Sequence, residues 1–443
     1  MLRLIILAMT LCLASAAWAQ EGRDCATGET CAANLSAAQV FSLADQYIGA
    51  GQPDQAETLY RGLARDPDGD VRAEARFRLA TLRESRGDLQ GAIDCYRAIL
   101  DEKPGAQRVR LELARVLALQ GDESGARREL RRAGAAGLPE DVARAVDQFA
   151  LALRSSRPLG ASIEIALAPD SNINRATDRD TVDTVIAPLQ LDDDARARSG
   201  LGVTLSGQAF WRADLSRDAA LLSRVSARAD LYGAGQFNDV VLSLASGPEF
   251  RAAGARWRPA GVYTRRWFGG DHYSDSYGGS INVLKPLNRV SQIEMEATVL
   301  ANRYTLNRQQ NGTLIDVNAA YDRAFSTRFS TRIGARVTRQ AAAEPSLATT
   351  GFSLEAVASR QIGKQLVFIQ ASAGRLKSDA RIPLFTEVRK DRRYDVTAGL
   401  LLRQWSFKGL SPLIRVSRSV NQSTVGLFDF KRTRVEFALS REF

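Results

Sequence analysis

The stretch that decides the fold is LLSRVSARADLY, residues 221–232. Its apolar side chains stand at alternate positions, at Leu221, Val225, Ala227, Ala229 and Leu231. Polar and charged side chains stand between them, at Arg224, Ser226, Arg228 and Asp230. An extended strand places the two sets on opposite faces. A soluble sandwich would turn the charged face to water, whereas a membrane barrel would turn the apolar face to lipid and the charged face to its lumen.

The same period of two runs on from Pro158 and predicts fourteen strands. We place them near residues 160–168, 200–211, 221–232, 238–253, 257–266, 276–285, 290–301, 312–323, 327–338, 349–360, 365–375, 392–404, 411–420 and 432–443. The number is even, and most of the strands have the roughly 9–11 residues that a tilted strand needs to cross a membrane. This pattern favours a closed antiparallel barrel over a sandwich.

The connections between these strands should differ in length at the two ends of the barrel. Barrels of the outer membrane have short turns on the periplasmic side and longer loops outside the cell. The first long connection, residues 169–199, is therefore predicted to be external. Three further stretches are predicted to be long external loops as well: WFGGDHYSDS at 267–276, RYTLNRQQNG at 303–312 and the run 376–391.

The first residues of the chain have the pattern of a secretory signal peptide. A basic residue, Arg3, precedes the apolar run 4–13, and small residues follow at Ala17 and Ala19. We predict a signal peptide at residues 1–19 and a leader segment at residues 20–35. Export from the cytoplasm makes nucleic acid an unexpected partner.

Three segments further on are related to one another and begin about 35 residues apart, at Gly51, Gly87 and Gly121. Each contains an alanine at the same offset from its glycine: Ala56, Ala92 and Ala126. The pattern predicts helical hairpins, in which the glycine ends the first helix and the small alanine lets the second helix approach closely. It resembles tetratricopeptide repeats, which bind partners or serve as spacers.

The predicted fold class is therefore α + β with two domains. An N-terminal all-α tetratricopeptide-like solenoid occupies residues 36–157, and a C-terminal 14-stranded antiparallel transmembrane β-barrel occupies residues 158–443.

Few residues in the sequence are suited to catalysis or metal binding. The single histidine, His272, lies in a Gly- and Asp-rich stretch that is predicted to be a loop, and no zinc spacing or phosphate-binding glycine loop is present. Cys25 and Cys31 are close enough to form a disulfide in the periplasm, or they remain free thiols, while Cys95 is predicted to fill a helical core. We expect no enzymatic activity, no cofactor and no bound metal.

Two stretches carry a resemblance to a known family: APDSNINRAT at residues 168–177 and LSPLIRVSRSVNQSTVGLFDFKRTRVEFALSREF at residues 410–443. With the repeats and the barrel, they resemble the surface lipoprotein assembly modifiers, called Slam proteins. The resemblance implies an outer-membrane translocon with its N-terminal domain in the periplasm. Its client would be a surface lipoprotein or a related soluble binding protein, which it moves to the cell exterior.

The signature residues also have a structural interpretation. Pro169 is predicted to stop the first strand, Asp170 and Asn172 to favour a turn, and Ser171 and Asn174 to tie that turn to neighbouring backbone. A substrate contact is the alternative role for this turn.

The terminal Phe443 resembles the signal that the barrel-assembly machinery recognises on outer-membrane barrels. An edge strand is suited to templated pairing until the barrel closes. The assembly machinery and outer-membrane lipid are therefore expected partners.

A second function class stays open on the sequence. Exopolysaccharide exporters also join tetratricopeptide repeats to an outer-membrane barrel. That class predicts a longer solenoid and a lumen whose charge matches the polymer, and the three repeats and the PDSNIN stretch argue against it.

Overall fold

The computed structural model describes residues 35–134, 158–216, 218–363, 365–402, 405 and 410–442. The N-terminal part is helical. Its helices are α1 (Ala37–Gly49), α2 (Pro53–Leu63), α3 (Gly69–Ser85), α4 (Leu89–Glu102), α5 (Gln107–Gln120) and α6 (Glu123–Gly134). Contacts divide the chain after Leu59 into two compact units, and residues Tyr60–Phe443 form the second. No helix in the described ranges is long and apolar enough to cross a membrane.

Each helix of the repeats begins and ends where its local sequence directs. Ser36 and Gln39 form a capping box at the start of α1, while the carboxylates of Asp88 and Asp122 accept hydrogen bonds from the backbone at the starts of α4 and α6. The three repeat glycines have positive φ, +71° at Gly51, +80° at Gly87 and +102° at Gly121. A left-handed residue satisfies the last carbonyl groups of the preceding helix and lets the chain turn back.

The interior of the helical part contains small, aromatic and aliphatic residues. Ala56, Ala92 and Ala126 have no exposed surface, and Tyr60 and Tyr96 are almost as deeply buried. In the third repeat Leu130 takes the place of the tyrosine and is buried too. Small residues between the helices allow the close approach that the repeat pattern predicts.

Of the cysteines, Cys95 lies in the described ranges, and its thiol is free and buried. Burial raises the pKa of the Cys95 thiol to about 11, so little thiolate exists at neutral pH. In a variant with Cys25→Ser and Cys31→Ser, we expect a charged maleimide at pH 8 to label the native protein very slowly and the unfolded protein rapidly. Rapid labelling of the native protein would contradict this burial.

The C-terminal part is a β-barrel of fourteen antiparallel strands. In chain order they are β1 (Leu159–Asp170), β4 (Gly200–Asp214), β5 (Ala219–Tyr232), β6 (Asp239–Ala252), β7 (Ala255–Phe268), β8 (Asp271–Asn288), β9 (Ser291–Tyr304), β10 (Gly312–Ala324), β11 (Phe329–Gln340), β12 (Thr349–Ile362), β13 (Gln365–Arg381), β14 (Val388–Leu402), β15 (Ser411–Ser423) and β16 (Phe430–Glu442). Two short strands, β2 (Thr181–Val182) and β3 (Leu189–Gln190), pair within the first loop.

Neighbouring strands in the chain are neighbours in the sheet, and β1 closes the barrel by pairing with both β4 and β16. The predicted fold, tetratricopeptide-like helices followed by a closed 14-stranded barrel, is confirmed. We call the end that holds the connections 215–218, 253–254, 289–290, 325–328, 363–364 and 403–410 the turn end. The opposite end, with 171–199, 233–238, 269–270, 305–311, 341–348, 382–387 and 424–429, is the loop end.

The two faces of the barrel wall follow the alternation read at residues 221–232. Val225 is exposed on the outside, whereas Asp230 reaches Arg434 of β16 across the intervening strands β4 and β1, which only an interior side chain can do. Large apolar side chains are exposed around the outer face: Ile163, Ile165, Val203, Leu205, Leu244, Ile281, Val299, Val317, Ile333, Phe352, Leu354, Ile369, Val396, Val416, Phe437 and Leu439. This belt suits the hydrocarbon of a membrane.

Two predicted loops are wrong. In the stretch 267–276 only Gly269 and Gly270 lie outside strands, so the chain turns on two glycines with positive φ and His272 belongs to β8. In the run 376–391 the strands continue on both sides, and the loop is only 382–387. Polar luminal residues and Gly–Gly pairs resemble loop composition, but pairing with neighbouring strands satisfies their backbone groups.

Candidate functional site

The candidate site is the lumen of the barrel, which is lined by arginines and carboxylates in pairs. On β15, Arg415 contacts Glu164 and Glu436 from the two neighbouring luminal rows. On β11, Arg332 lies 2.9 Å from Asp322 and 3.0 Å from Glu294. Further luminal pairs are Arg336–Asp316, Arg393–Asp395 and Arg389–Asp391. Both signs of charge are thus spread over the wall.

One deeply buried luminal pair joins the first and last strands at the loop end. The side chain of Asp170 has no exposed surface, and it accepts hydrogen bonds from Arg432 Nε at 3.0 and 2.9 Å. Arg434 on the same strand donates to Asp230 at 2.9 Å and also to Thr204. Residues from β1, β4, β5 and β16 therefore meet in one network at the seam where the barrel closes.

Asn172 extends this network into the first loop. Its backbone N–H donates to Asp170 at 3.0 Å, and its side-chain amide donates to the carbonyl groups of Ala176 and Lys431. The side-chain oxygen of Asn172 accepts from the N–H of Ala176 at 3.0 Å. Asn172 is 1% exposed, so all of these bonds are shielded from water.

The other two polar signature residues tie the loop to its surroundings. Ser171 and Thr433 exchange hydrogen bonds, with the N–H of Thr433 donating to Ser171 Oγ at 2.8 Å. The amide of Asn174 donates to the carbonyl of Arg196 at 2.7 Å, and its oxygen accepts from the N–H of Arg198. Both ends of the first loop are thereby held next to the barrel seam.

Pro169 does not stop the strand, contrary to the prediction. β1 continues to Asp170, and Pro169 pairs with Leu201 of β4. On the other side, the pairing with β16 passes from Leu167–Phe437 to Asp170–Arg434. A proline can occupy a strand where its missing N–H costs no ladder bond, and the turn itself begins only after Asp170.

The asparagine anchor allows a specific test. In Asn172→Ala, three hydrogen bonds disappear and buried backbone groups lose partners, so we expect a loss of roughly 3 kcal/mol in the anchoring of the loop. Trypsin should then cleave at Arg175 or Arg179 in the folded, membrane-inserted protein at least tenfold faster. Asn282→Ala, which removes one luminal bond to Glu294, should leave the cleavage rate unchanged. Equal cleavage in wild type and Asn172→Ala would contradict the anchoring role.

The first loop also packs on two other loops. Buried apolar side chains from three loops form one cluster: Val182, Leu191, Phe385 and Val425. The N–H of Val185 donates to the carbonyl of Leu384 at 3.0 Å, and Arg179 lies 2.9 Å from Asp429. The loops 171–199, 382–387 and 424–429 therefore form a single packed assembly at the loop end.

At the turn end, helix α6 enters the mouth of the barrel. Glu123, its first residue, contacts Arg256 and lies 3.0 Å from Arg258, both on β7. Arg212 on β4 is 3.7 Å from Glu123 and 3.0 Å from the luminal Glu249, which also contacts Arg258. We call these three arginines and two glutamates the α6 latch; their side chains are 5% to 18% exposed.

Both ends of helix α6 contact the barrel at this mouth. Its last residue, Gly134, packs so closely on the turn between β8 and β9 that an added Cβ would lie 2.8 Å from the Cβ of Arg289. Nearby, Gln361 at the end of β12 donates to Asp101 of α4 at 2.7 Å. The latch lies at β4 and β7, so the two ends of α6 touch different parts of the wall.

Two cavities remain beside α6. One, of about 230 Å³, lies between residues 120–124 and strands β1, β4 and β5. The other, of about 340 Å³, lies between α6 and strands β7 to β12. Space therefore remains between α6 and two stretches of the barrel wall.

The remaining predicted site residues fall into two groups. One group is the repeat residues, which lie at helix ends and in the buried interior of the helices: Gly51, Ala56, Gly87, Ala92, Gly121 and Ala126. Cys25, Cys31 and Phe443 lie outside the described residues, so the disulfide and the assembly signal stay predictions.

The sequence reasoning missed the α6 latch and the arginines of β16. Glu123 occupies an ordinary first-turn position in a polar helix, and its partners come 133 and 135 residues later. The strand alternation does place Arg256, Arg258 and Arg432 on the luminal face. That alternation alone does not show which helix a luminal residue contacts.

Comparisons with known proteins agree with this architecture. A sequence profile described as "Surface lipoprotein assembly modifier" matches residues 161–443, and a tetratricopeptide-repeat profile matches residues 84–148. A curated Moraxella catarrhalis protein, "Surface lipoprotein assembly modifier", is 22% identical over 404 residues, which cover 87% of this chain and 76% of that protein.

Two solved structures of outer-membrane type are also similar in part. OccAB3 of Acinetobacter baumannii has a TM-score of 0.35 at 8% identity, and the match covers 64% of this chain and 99% of that one. A FadL homologue of Pseudomonas aeruginosa has a TM-score of 0.37 at 9% identity, covering 66% and 91%. Because the family profile spans well over half of the chain, this outer-membrane barrel belongs to the surface lipoprotein assembly modifier family.

Proposed function

We propose that this protein moves a dedicated client, a surface lipoprotein or a related soluble binding protein, from the periplasm to the cell surface through its barrel. The observation that carries the proposal is the position of α6. A repeat domain of a type that binds partners reaches into the mouth of a polar lumen. A client held by the helices is thereby brought directly to the opening.

The orientation in the membrane follows from the two ends of the barrel. Outer-membrane barrels keep short turns in the periplasm and longer loops outside. Helix α6 adjoins the turn end, which supports a periplasmic position for the helical domain and an external position for the packed loops. The apolar belt contacts outer-membrane lipid, and the barrel-assembly machinery inserts the protein.

The lumen suits an extended polypeptide better than a polymer of one charge. Carboxylates stand beside arginines along the wall, as in the Arg415 and Arg332 groups, so both signs of charge are present along the path. A polypeptide carries both signs and many backbone polar groups, which such a wall can solvate. Transport on this account uses no catalysis and no cofactor, and folding or binding of the client outside drives it forward.

The experiment compares surface proteins with and without this chain. In a host lacking the protein, we expect one or a few lipoproteins to disappear from surface biotinylation while their total amount stays the same. The full-length chain should restore them. A chain lacking residues 36–153 should assemble a heat-modifiable barrel but restore exposure poorly. If that truncated chain restored exposure fully, the helices would act only as a spacer and would not be needed to bind the client.

The polysaccharide alternative has its own outcome in this experiment. If every lipoprotein kept its exposure and a surface polysaccharide disappeared instead, the chain would be an exporter of that polymer. The joined repeat and barrel architecture is shared by the two classes, which is why both outcomes are measured.

A further inference from the structure

Arginine is the commonest residue type in the lining of the cavity of about 340 Å³ beside α6. Three of them, Arg127, Arg128 and Arg131, come from α6, and others come from the barrel wall, among them Arg256, Arg258 and Arg332. The carboxylates in its lining are Glu123, Glu294 and Asp322. Positive side chains therefore clearly outnumber negative ones around one enclosed space.

The lining carboxylates are engaged by arginines of the barrel. Glu123 contacts Arg256 and Arg258 in the latch. Glu294 and Asp322 lie 3.0 and 2.9 Å from Arg332. These carboxylates are fewer than the arginines of the wall and α6 together, so the lining keeps an excess of positive charge.

Arg131 is the clearest case of this excess. Its Nη1 atom is buried and has no hydrogen-bond partner in the described part of the chain. Burial lowers the pKa of Arg131 to about 10, and burial together with the nearby Arg256 lowers the pKa of Arg127 to about 9. Lowered values mean that the charged forms are disfavoured where they stand.

We propose that this cavity is a binding site for a compact oxyanion, of the phosphate or carboxylate class, held between α6 and the barrel wall. Guanidinium groups donate paired hydrogen bonds that match the oxygens of phosphate and carboxylate. A bound oxyanion would supply the acceptor that Arg131 Nη1 lacks and would compensate the positive charge of α6.

The walls indicate which sources of the anion fit. Leu284 and Val357 are the apolar side chains of the described lining, too few to hold an acyl chain. The cavity therefore suits a free ion or an acidic peptide side chain, which share the same oxyanion chemistry. The site stands independently of the proposed export, because it would also bind a free ion in a resting protein.

The test uses full-length protein in detergent and inorganic phosphate as the probe, with chloride keeping the ionic strength constant. Phosphate should raise the Tm of the wild type by several degrees. In Arg131→Gln, the Tm without phosphate should equal or exceed that of the wild type, because a buried charge is gone. Its affinity for phosphate should fall at least tenfold. This opposite behaviour distinguishes a binding residue from a residue needed only for folding.

Arg78→Gln is the matched control, because it removes one positive charge from α3 outside the cavity. It should bind phosphate like the wild type. The site would be overturned if phosphate stabilised the protein no more than chloride, if Arg131→Gln kept wild-type affinity, or if Arg78→Gln lost as much. Competition by hexaglutamate but not by hexaglutamine would identify a peptide carboxylate as a source; competition by neither would leave the free ion.

Discussion

Glu123→Gln should convert a barrel that conducts rarely into one that is open to ions most of the time. The substitution removes one of two carboxylates in the α6 latch, so that Glu249 is the remaining carboxylate of the latch. Breaking one partner of a buried ion pair costs about 3–5 kcal/mol, because the remaining charge is stranded away from water. A loss of this size shifts the balance between docked and released α6 by on the order of a hundredfold or more.

The measurement is single-channel conductance of the purified protein in planar bilayers. Wild type should show rare, brief openings, and Glu123→Gln should show long openings of higher conductance. Glu112→Gln makes the same chemical change on α5, where Glu112 pairs with Arg115 outside the latch, and it should behave like the wild type. A closed Glu123→Gln channel, or equal opening in Glu112→Gln, would show that the latch does not hold the helix in the mouth.

Asp170→Asn should destabilise the barrel more than any other single luminal change we consider. Asp170 has no exposed side-chain surface and faces both Arg432 and Arg434, the latter at 3.9 Å. Without the charge of Asp170, the positive charges of two buried arginines at the seam are only partly compensated. The expected loss of folding free energy is about 3–5 kcal/mol. The folded band on a heat-modifiability gel should convert to the unfolded band at a clearly lower temperature, and the yield of assembled barrel should fall.

The control for this prediction is Asp379→Asn at the same end of the barrel. Asp379 pairs with Arg339, but both side chains are more than a third exposed, and solvent-exposed pairs contribute little to stability. Its transition should match that of the wild type. If Asp170→Asn and Asp379→Asn melted alike, the seam network would have no special role in closing the barrel.

Much of the fold follows from local sequence. Alternation at residues such as Val225 and Asp230 is enough to assign the two faces of a strand, because lipid and lumen impose opposite requirements on neighbouring positions. The repeat glycines mark helix ends for an equally local reason, since a left-handed residue favours glycine. Strand ends were less predictable: Pro169 and the stretch around His272 have loop-like composition but are paired in the sheet.

The site depends on contacts that local sequence does not encode. Whether Glu123 meets Arg256 is decided by how a helix docks on a closed barrel, and the two residues are far apart in the chain. Likewise, Asp170 and Arg432 become neighbours only because β1 closes on β16. The sequence marks both arginines as inward-facing, but their partners emerge only from the closed topology.

The most direct test of transport through the lumen is a crosslink to the client inside the barrel. Ser226 faces the lumen midway along β5, and its neighbour Val225 faces the membrane. A photo-crosslinking amino acid is placed at either position in cells that export a client found by surface biotinylation. We predict that the Ser226 position captures the client during export and that the Val225 position captures none. Capture only at Val225, or at neither position while export continues, would contradict passage through the lumen.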